Sequence, residues 1–334
     1  MRGGDVTKTA LITGVTGQDG SYLAELLLDK GYTVVGLVRR LSTPNFTNLH
    51  FANKRANFHV LTGDLTDPAS LRTAISKSKP DEIYNLAAMS FVKTSWDQPV
   101  LTQNVNFIGV LHLLEAVKNA SEPIRMYQAS TSEMFGNVPP PQKETDAMIP
   151  HSPYGVAKLA AHRMCKVYRD SHDVHVSCGI LFNHESPRRG LEFVTRKIAN
   201  GVVKIKLGQQ NYLSMGNVNT YRDWGYAKDY VRAMWMMLQQ DDPDDYVIGT
   251  GISHSVLDFI KVAFDSVGME YDELLHLEID KRYYRPVDIL ELKADPAKAN
   301  RVLGWKPSLS FRDLVRHMVE SEYKRLTQGQ IPKR

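Results

Sequence analysis

The sequence predicts an α/β fold: a doubly wound parallel sheet with a smaller, mostly C-terminal α/β lobe. Three observations predict it. Short β-rich runs alternate with helical patterns over the first 180 residues. The runs are nearly continuous in apolar residues, as strands covered on both faces are, instead of alternating strictly. No internal repeat or low-complexity tract interrupts them, and 43% hydrophobic against 23% charged residues is enough to build a core in a chain of 334.

The elements follow in order. "TALITG" is the first strand, followed by a helix from Ser21 to Lys30 with Leu23, Leu26 and Leu27 on one face. "TVVGLV" and "NFHVLTGDL" are the next strands, with a helix from about Ala69 to Ser78 after them. "EIYNLAA" is a strand, Val105 to Ala120 a helix, and "IRMYQAST" a strand. A longer helix carries "YGVAKLAAHRMCKVYRDS" and leads into the buried strand "VHVSCGILFN". Beyond Asn183 the βαβ rhythm fades into short strands and isolated helices, although "DYVRAMWMMLQQ" and "DDYVIGTG" again read as helix and strand. The expected division is a first domain over 7–182, with returning segments at about 218–252 and 285–293. The lobe takes 183–217, 253–284 and 294–330, and its last helix runs from about Phe311 to Thr327.

Composition excludes several classes. The 41 basic and 37 acidic residues are too balanced, and too evenly spread, for a nucleic-acid reader. Cys165 and Cys178 stand in no CxxC or Cys/His cluster, so neither a disulfide framework nor a metal site is expected and both are read as buried thiols. No apolar run suggests a membrane span, "MRGGDVTK" lacks a leader's apolar region, and the cytoplasm is the expected compartment.

The first chemical feature is Gly14-x-x-Gly17-x-x-Gly20, set between a strand and an amphipathic helix. Glycines there allow a tight turn and let backbone N–H groups approach a pyrophosphate at a helix N-terminus. This marks a Rossmann-type, NAD(P)-binding sheet. An NAD site would place an acidic residue at the end of the second strand; the chain has Arg39 and Arg40, which suit a 2′-phosphate, so NADP is the expected cofactor. Asp64 and the small residues Leu86, Ala87 and Ala88 of "NLAAMS" close the adenine and ribose side.

The second feature is Tyr154 and Lys158, four residues apart and therefore on one helical face. A free phenol has a pKa of about 10, and a nearby ammonium makes its phenolate accessible, so Tyr154 can take a proton from a substrate hydroxyl. The third is "STSEMFG", residues 130–136, in which Glu133 is either a helix-start cap partner of Ser130 or a second base at the carboxyl edge of the sheet.

Through "TGVTGQDG", "NLAA" and "YGVAK" the chain resembles the extended short-chain dehydrogenase/reductase superfamily. Through "YQASTSEMFG", "NHESPRRG", "FVTRKI", "RDWGYAKDYV" and "LGWKP", in order along nearly the whole chain, it is similar to the GDP-mannose 4,6-dehydratase family within it. The resemblance implies an internal redox cycle on GDP-mannose. Tyr154 and Lys158 would serve oxidation at C4, Thr131 would orient the C4 oxygen, and Glu133 would take the C5 proton before water leaves C6. It also implies cofactor contacts at Thr16, Gln18, Asp19, Ser42, Leu65, Ser90, Leu101, His184 and Arg189. Nucleotide-sugar contacts are implied at Ser90, Asn183, Val194, Lys197, Arg222, Arg285 and Asp288, together with a homo-oligomer, a tetramer or a dimer, joined partly through the 39–42 loop. Asp288 replaces the family's usual Glu, His151 an Arg and Met89 a Gln. The alternative substrate is another GDP-linked sugar such as a heptose, and the alternative reactions are epimerisation or reduction; a catalytically idle NADP-binding protein is a third reading.

Overall fold

The computed structural model describes residues 7–284 and 287–328. Strands β1 (Thr9–Thr13), β2 (Thr33–Val38), β3 (Phe58–Thr62), β4 (Glu82–Asn85), β5 (Arg125–Thr131) and β6 (Val176–Leu181) appear where the apolar runs place them. Next come β7 (Asn183–Glu185), β8 (Leu213–Met215), β9 (Tyr221–Tyr226), β10 (Asp245–Ile248), β11 (Ser253–Ser255), β12 (Leu277–Ile279) and β13 (Glu291–Leu292).

Seven strands form one parallel sheet in the order β10-β6-β5-β4-β1-β2-β3. Residues alternate across it. Ala10, Ile12 and Val34 join the core under helices Gln18–Asp29 and Ala227–Leu238, while Leu11, Val35 and Leu37 join that under Pro68–Ser78, Gly109–Lys118 and Pro153–His172. Strand order reverses between β1 and β4, which opens a crevice at the carboxyl ends, the place where such sheets bind ligands.

Three helices differ from the sequence expectation at their starts. The first begins at Gln18, inside the glycine motif, because Gly17 is its N-cap residue. The helix expected over 105–120 begins at Pro99, whose ring suits a first helical position, and passes through a π-helical stretch Asn104–Ile108 to end at Lys118. Among the described residues this 99–118 segment is the one helix long and apolar enough to cross a membrane, contrary to the reading that no run suggests a span, but Val110, Leu113 and Leu114 are buried in the sheet's core. The helix that carries Tyr154 and Lys158, Pro153–His172, starts on Ser152, whose hydroxyl accepts from Gly155 N at 3.0 Å.

The second lobe is built on β9, which pairs parallel with β7 and β13 and antiparallel with β11. Helices Val194–Lys206, Val256–Ser266 and Phe311–Thr327 cover it through Ile198, Val202, Phe259, Phe264, Leu314 and Met318. Residues 227–248 return to the large sheet as helix and strand. β13, within the stretch 285–293, pairs with β9 of the small sheet, and Trp305 is buried in the core under the large one. Such short segments carry too few residues for periodicity to choose between the sheets.

Candidate active site

A cavity of about 990 Å³ runs along the carboxyl edge of the large sheet and across to the lobe. Its first end is the glycine turn. Gly14 has φ +68°, and a Cβ there would lie 2.8 Å from Ala87 N; a Cβ on Gly20 would lie 2.3 Å from Gly14 O. Only glycine fits both positions. Gly17 N donates to Gly14 O at 3.0 Å, and Thr13 Oγ1 accepts from Leu86 N and Ala87 N, both at 3.1 Å, locking β1 to the end of β4. This cradle, at the start of a 12-residue helix, fits a dinucleotide pyrophosphate.

Beneath the turn, Gln18 Nε2 donates to His184 O at 3.1 Å, and Asp19 Oδ2 lies 2.7 Å from His184 Nε2. Burial opposes charge on both, yet their mutual attraction outweighs it, holding Asp19 below the usual carboxylate range and His184 above the usual imidazole range. The motif is thereby tied to β7 by a charged pair.

Arg39 lines the cavity where β2 ends, together with Asp64, Leu65, Leu86, Ala87, Ala88, Ser90 and Leu101. Arg40 and Ser42 do not line it: both stand beyond the end of β2, and the Arg40 guanidinium turns back to the Leu41 carbonyl. Asp64 Oδ1 accepts from the backbone and hydroxyl of Thr66, both at 2.8 Å.

The middle of the cavity gathers Thr131, Glu133, Tyr154 and Lys158. β5 ends at Thr131, which caps a single turn, Ser132–Met134; its Oγ1 accepts from Glu133 N at 3.3 Å. The cap is Thr131 and not Ser130, whose hydroxyl instead meets His162 Nδ1 at 3.0 Å. Tyr154 is buried, and burial pushes its phenol up to about 12, with the Thr131 hydrogen bond pulling the other way and the Glu133 charge adding to the rise. Lys158 donates to Ala129 O at 2.9 Å, its Nζ lies 5.9 Å from the Tyr154 ring centroid, and burial lowers its ammonium to about 8. Two groups that titrate close together as free side chains have been pushed apart, a pattern characteristic of proton-transfer sites.

The far end belongs to the lobe. Asn183, Val194, Lys197, Arg222 and Asp288 all line the cavity, whereas Arg285 lies outside the described residues. Lys197 Nζ sits 3.4 Å from the Tyr283 ring centroid, and Lys93 Nζ donates to Arg282 O at 3.1 Å. The Arg189 guanidinium stacks 3.7 Å over the Phe193 ring, whose edge meets Phe91 at 5.5 Å between centroids. Met89, where the family usually has Gln, also lines the cavity; its backbone N–H donates to Asn106 Oδ1 at 2.8 Å. Lys93, Phe91, Phe193 and Tyr283 were not legible in the sequence, since they stand in aperiodic segments or at helix starts. His151 does not line the cavity.

Comparisons with known proteins agree with this geometry. A family model described as GDP-mannose 4,6 dehydratase matches residues 11–318. GDP-mannose 4,6 dehydratase 1 of Arabidopsis thaliana is 50% identical over 326 residues, covering 94% of this chain and 90% of the relative. The Homo sapiens GDP-mannose 4,6 dehydratase is 46% identical over 343 residues, covering 96% and 92%. Among solved structures, a Thermus thermophilus UDP-glucose 4-epimerase in complex with NAD superposes with a TM-score of 0.82 at 26% identity, covering 94% of this chain and 98% of its own.

Proposed function

The chain belongs to the GDP-mannose 4,6-dehydratase family, and from that premise we propose how its own residues carry out the dehydration of GDP-mannose to the 4-keto-6-deoxy sugar nucleotide. The observation that carries the proposal is the meeting of Glu133 with Thr131, Tyr154 and Lys158 in the middle of one cavity, between a dinucleotide cradle and a cationic lobe. A bound nicotinamide dinucleotide supplies a reversible hydride acceptor, so no external oxidant is consumed.

Tyr154 takes the proton of the C4 hydroxyl. In the protein alone its phenol lies at about 12, so the neighbouring Lys158 ammonium and the positive charge of the oxidised cofactor must lower it during the reaction. Thr131, which lines the cavity with Tyr154, fixes the C4 oxygen. Once C4 is a ketone the C5 hydrogen is acidic, and Glu133 removes it and passes a proton to the C6 hydroxyl, which leaves as water; the hydride taken from C4 would then return to C6 and a solvent-derived proton to C5, giving the 4-keto-6-deoxy sugar. Each positioned proton transfer contributes roughly 10²–10⁴-fold. Epimerisation and reduction need the tyrosine but no base at C5, which is why Glu133 selects dehydration among reactions open to the scaffold.

NADP is the preferred dinucleotide, supported by Arg39 at the cavity wall and by the absence of a carboxylate at the end of β2. Lys197 and Arg222 face the diphosphate, with Asn183, Val194 and Asp288 around the nucleoside and sugar. The enzyme works as a homo-oligomer in the cytoplasm, a compartment that suits two buried free thiols. The test is incubation with GDP-mannose and NADP⁺ without reductant, read as an alkali-absorbing 4-keto product. The Glu133→Gln variant is expected to bind nucleotide normally and to lose solvent deuterium exchange at C5; undiminished exchange removes Glu133 from this role.

A further inference from the structure

We infer that His162 is a positioning residue for the reaction, holding the end of β5 in register with the helix that carries Tyr154 and Lys158. The inference rests on the roles proposed above for Thr131, Tyr154 and Lys158. Those two helix residues and His162 recur at intervals of four and lie on one face, and all three are buried. They meet three consecutive residues of β5. Lys158 donates to Ala129 O at 2.9 Å, His162 Nδ1 meets Ser130 Oγ at 3.0 Å, and Tyr154 lines the same cavity as Thr131, which holds its phenol down against the effect of burial.

The imidazole is anchored on its other side. Its Nε2 lies 3.6 Å from Asp245 Oδ2 on β10, and Arg169, three turns along the same helix from Lys158, donates to Asp245 at 2.6 Å and to Val176 O on β6 at 2.9 Å. The network therefore ties the helix to β5, β6 and β10 together. His162, Cys178 and Asp245 also bring three ligand-type atoms within 4.8 Å of one another, but Arg169 already holds Asp245 and Ser130 already holds the imidazole, so the protein itself occupies these groups.

Elsewhere this helix joins the core under the sheet through Ala161, Cys165 and Tyr168, together with Val176 and Cys178. Apolar burial is non-directional and does not by itself fix a helix's axial position. Directional hydrogen bonds between fully buried groups do, because a displaced partner leaves an unsatisfied polar atom. Ser130 immediately precedes Thr131, so a slip at His162 moves the Thr131 hydroxyl and the Glu133 turn relative to Tyr154. A misplacement of about 1 Å costs roughly 10²-fold in rate.

The experiment compares His162→Phe, His162→Asn, Ser130→Ala and the His162→Phe/Ser130→Ala double variant with the wild type, each rate normalised to folded, dinucleotide-binding sites. His162→Phe and Ser130→Ala are expected to lower kcat by about 10–100-fold with KM for GDP-mannose within about twofold. His162→Asn, whose amide reaches the Nδ1 position, should recover to within about fivefold of wild type, and the double variant should lose no more than the worse single. Unchanged kcat in Ser130→Ala, fully additive losses, or no recovery by Asn would overturn the inference, and Ser130→Ala alone decides if His162→Phe does not fold. Tyr154→Phe separates the two readings: if it stays active the proposed chemistry is wrong, whereas an inactive Tyr154→Phe beside fully active Ser130 and His162 variants sinks the positioning role alone.

Discussion

Replacing Lys158 by Met should make the protein more stable while disabling it. Lys158 is 4% exposed, and burial, opposed only by the nearby Cys165, lowers its ammonium from 10.5 to about 8. Below pH 8 both folded and unfolded chains carry the proton, so folding bears the full cost of burying the charge, ~3.4 kcal/mol for a shift of this size. Between pH 8 and 10.5 the unfolded chain keeps a proton that the folded one sheds, and the wild type gains stability as pH rises. Met matches the length of the side chain and carries no charge, but it forfeits the hydrogen bond to Ala129 O, ~1 kcal/mol. At pH 7, with nucleotide removed, Lys158→Met is expected to be more stable by ~2 kcal/mol in urea denaturation, and its advantage should narrow by ~1.3 kcal/mol on going to pH 9. Its kcat should fall by roughly 10²–10⁴-fold, since the ammonium no longer helps to draw the Tyr154 phenol down from about 12. A variant less stable than wild type at pH 7, or a stability difference that ignores pH, refutes the reasoning.

Gly20→Ala should abolish dinucleotide binding, measured by titration calorimetry, because its Cβ would stand 2.3 Å from Gly14 O and force the turn open. Asp223→Ala should lower the unfolding free energy by about 3–5 kcal/mol, seen as an earlier urea midpoint, since it strips acceptors from Thr250 N and Gly251 N at 2.8 Å and from Ala294 N at 3.1 Å. Arg39→Ala should raise KM for NADP by about tenfold while leaving NAD nearly unaffected, and Arg40→Ala, whose side chain turns away, should change the ratio less.

What was legible in the sequence is what local spacing determines. The glycine motif states its own turn, the i, i+4 pair states its own helical face, and strands buried on both sides announce themselves as apolar runs. Glu133 could be located but not interpreted from spacing alone: the SxxE pattern suggested a cap at Ser130, and the strand runs one residue further, so Thr131 caps the turn and frees Ser130 for His162. Contacts made by chain segments far apart were not legible. Lys197 over Tyr283 joins residues 86 positions apart, and the Phe91, Arg189 and Phe193 stack brings together a loop after β4, a turn and a helix start. No periodicity encodes such meetings. Arg40 reads as a second guanidinium for a 2′-phosphate and Ser42 comes with the family resemblance; both stand beyond the end of β2, where no periodicity gives a side chain's direction, and Arg40 turns back to the Leu41 carbonyl.

One residue separates the two sheets. Leu181 is the last residue of β6, paired with Thr131 and Ile248, and Asn183 opens β7, paired with Trp224; between them stands Phe182, buried against Phe135. The sheet that carries the glycine turn and the sheet of the second lobe are thus consecutive stretches of one backbone, with a single residue between them. Only the two dihedrals of a buried Phe182 lie between them, so the placement of one sheet against the other is narrowly constrained, while side chains of the lobe can change without disturbing it. A lobe exchanged between relatives at this junction would keep the reacting atoms aligned only if the single-residue crossing were kept with it.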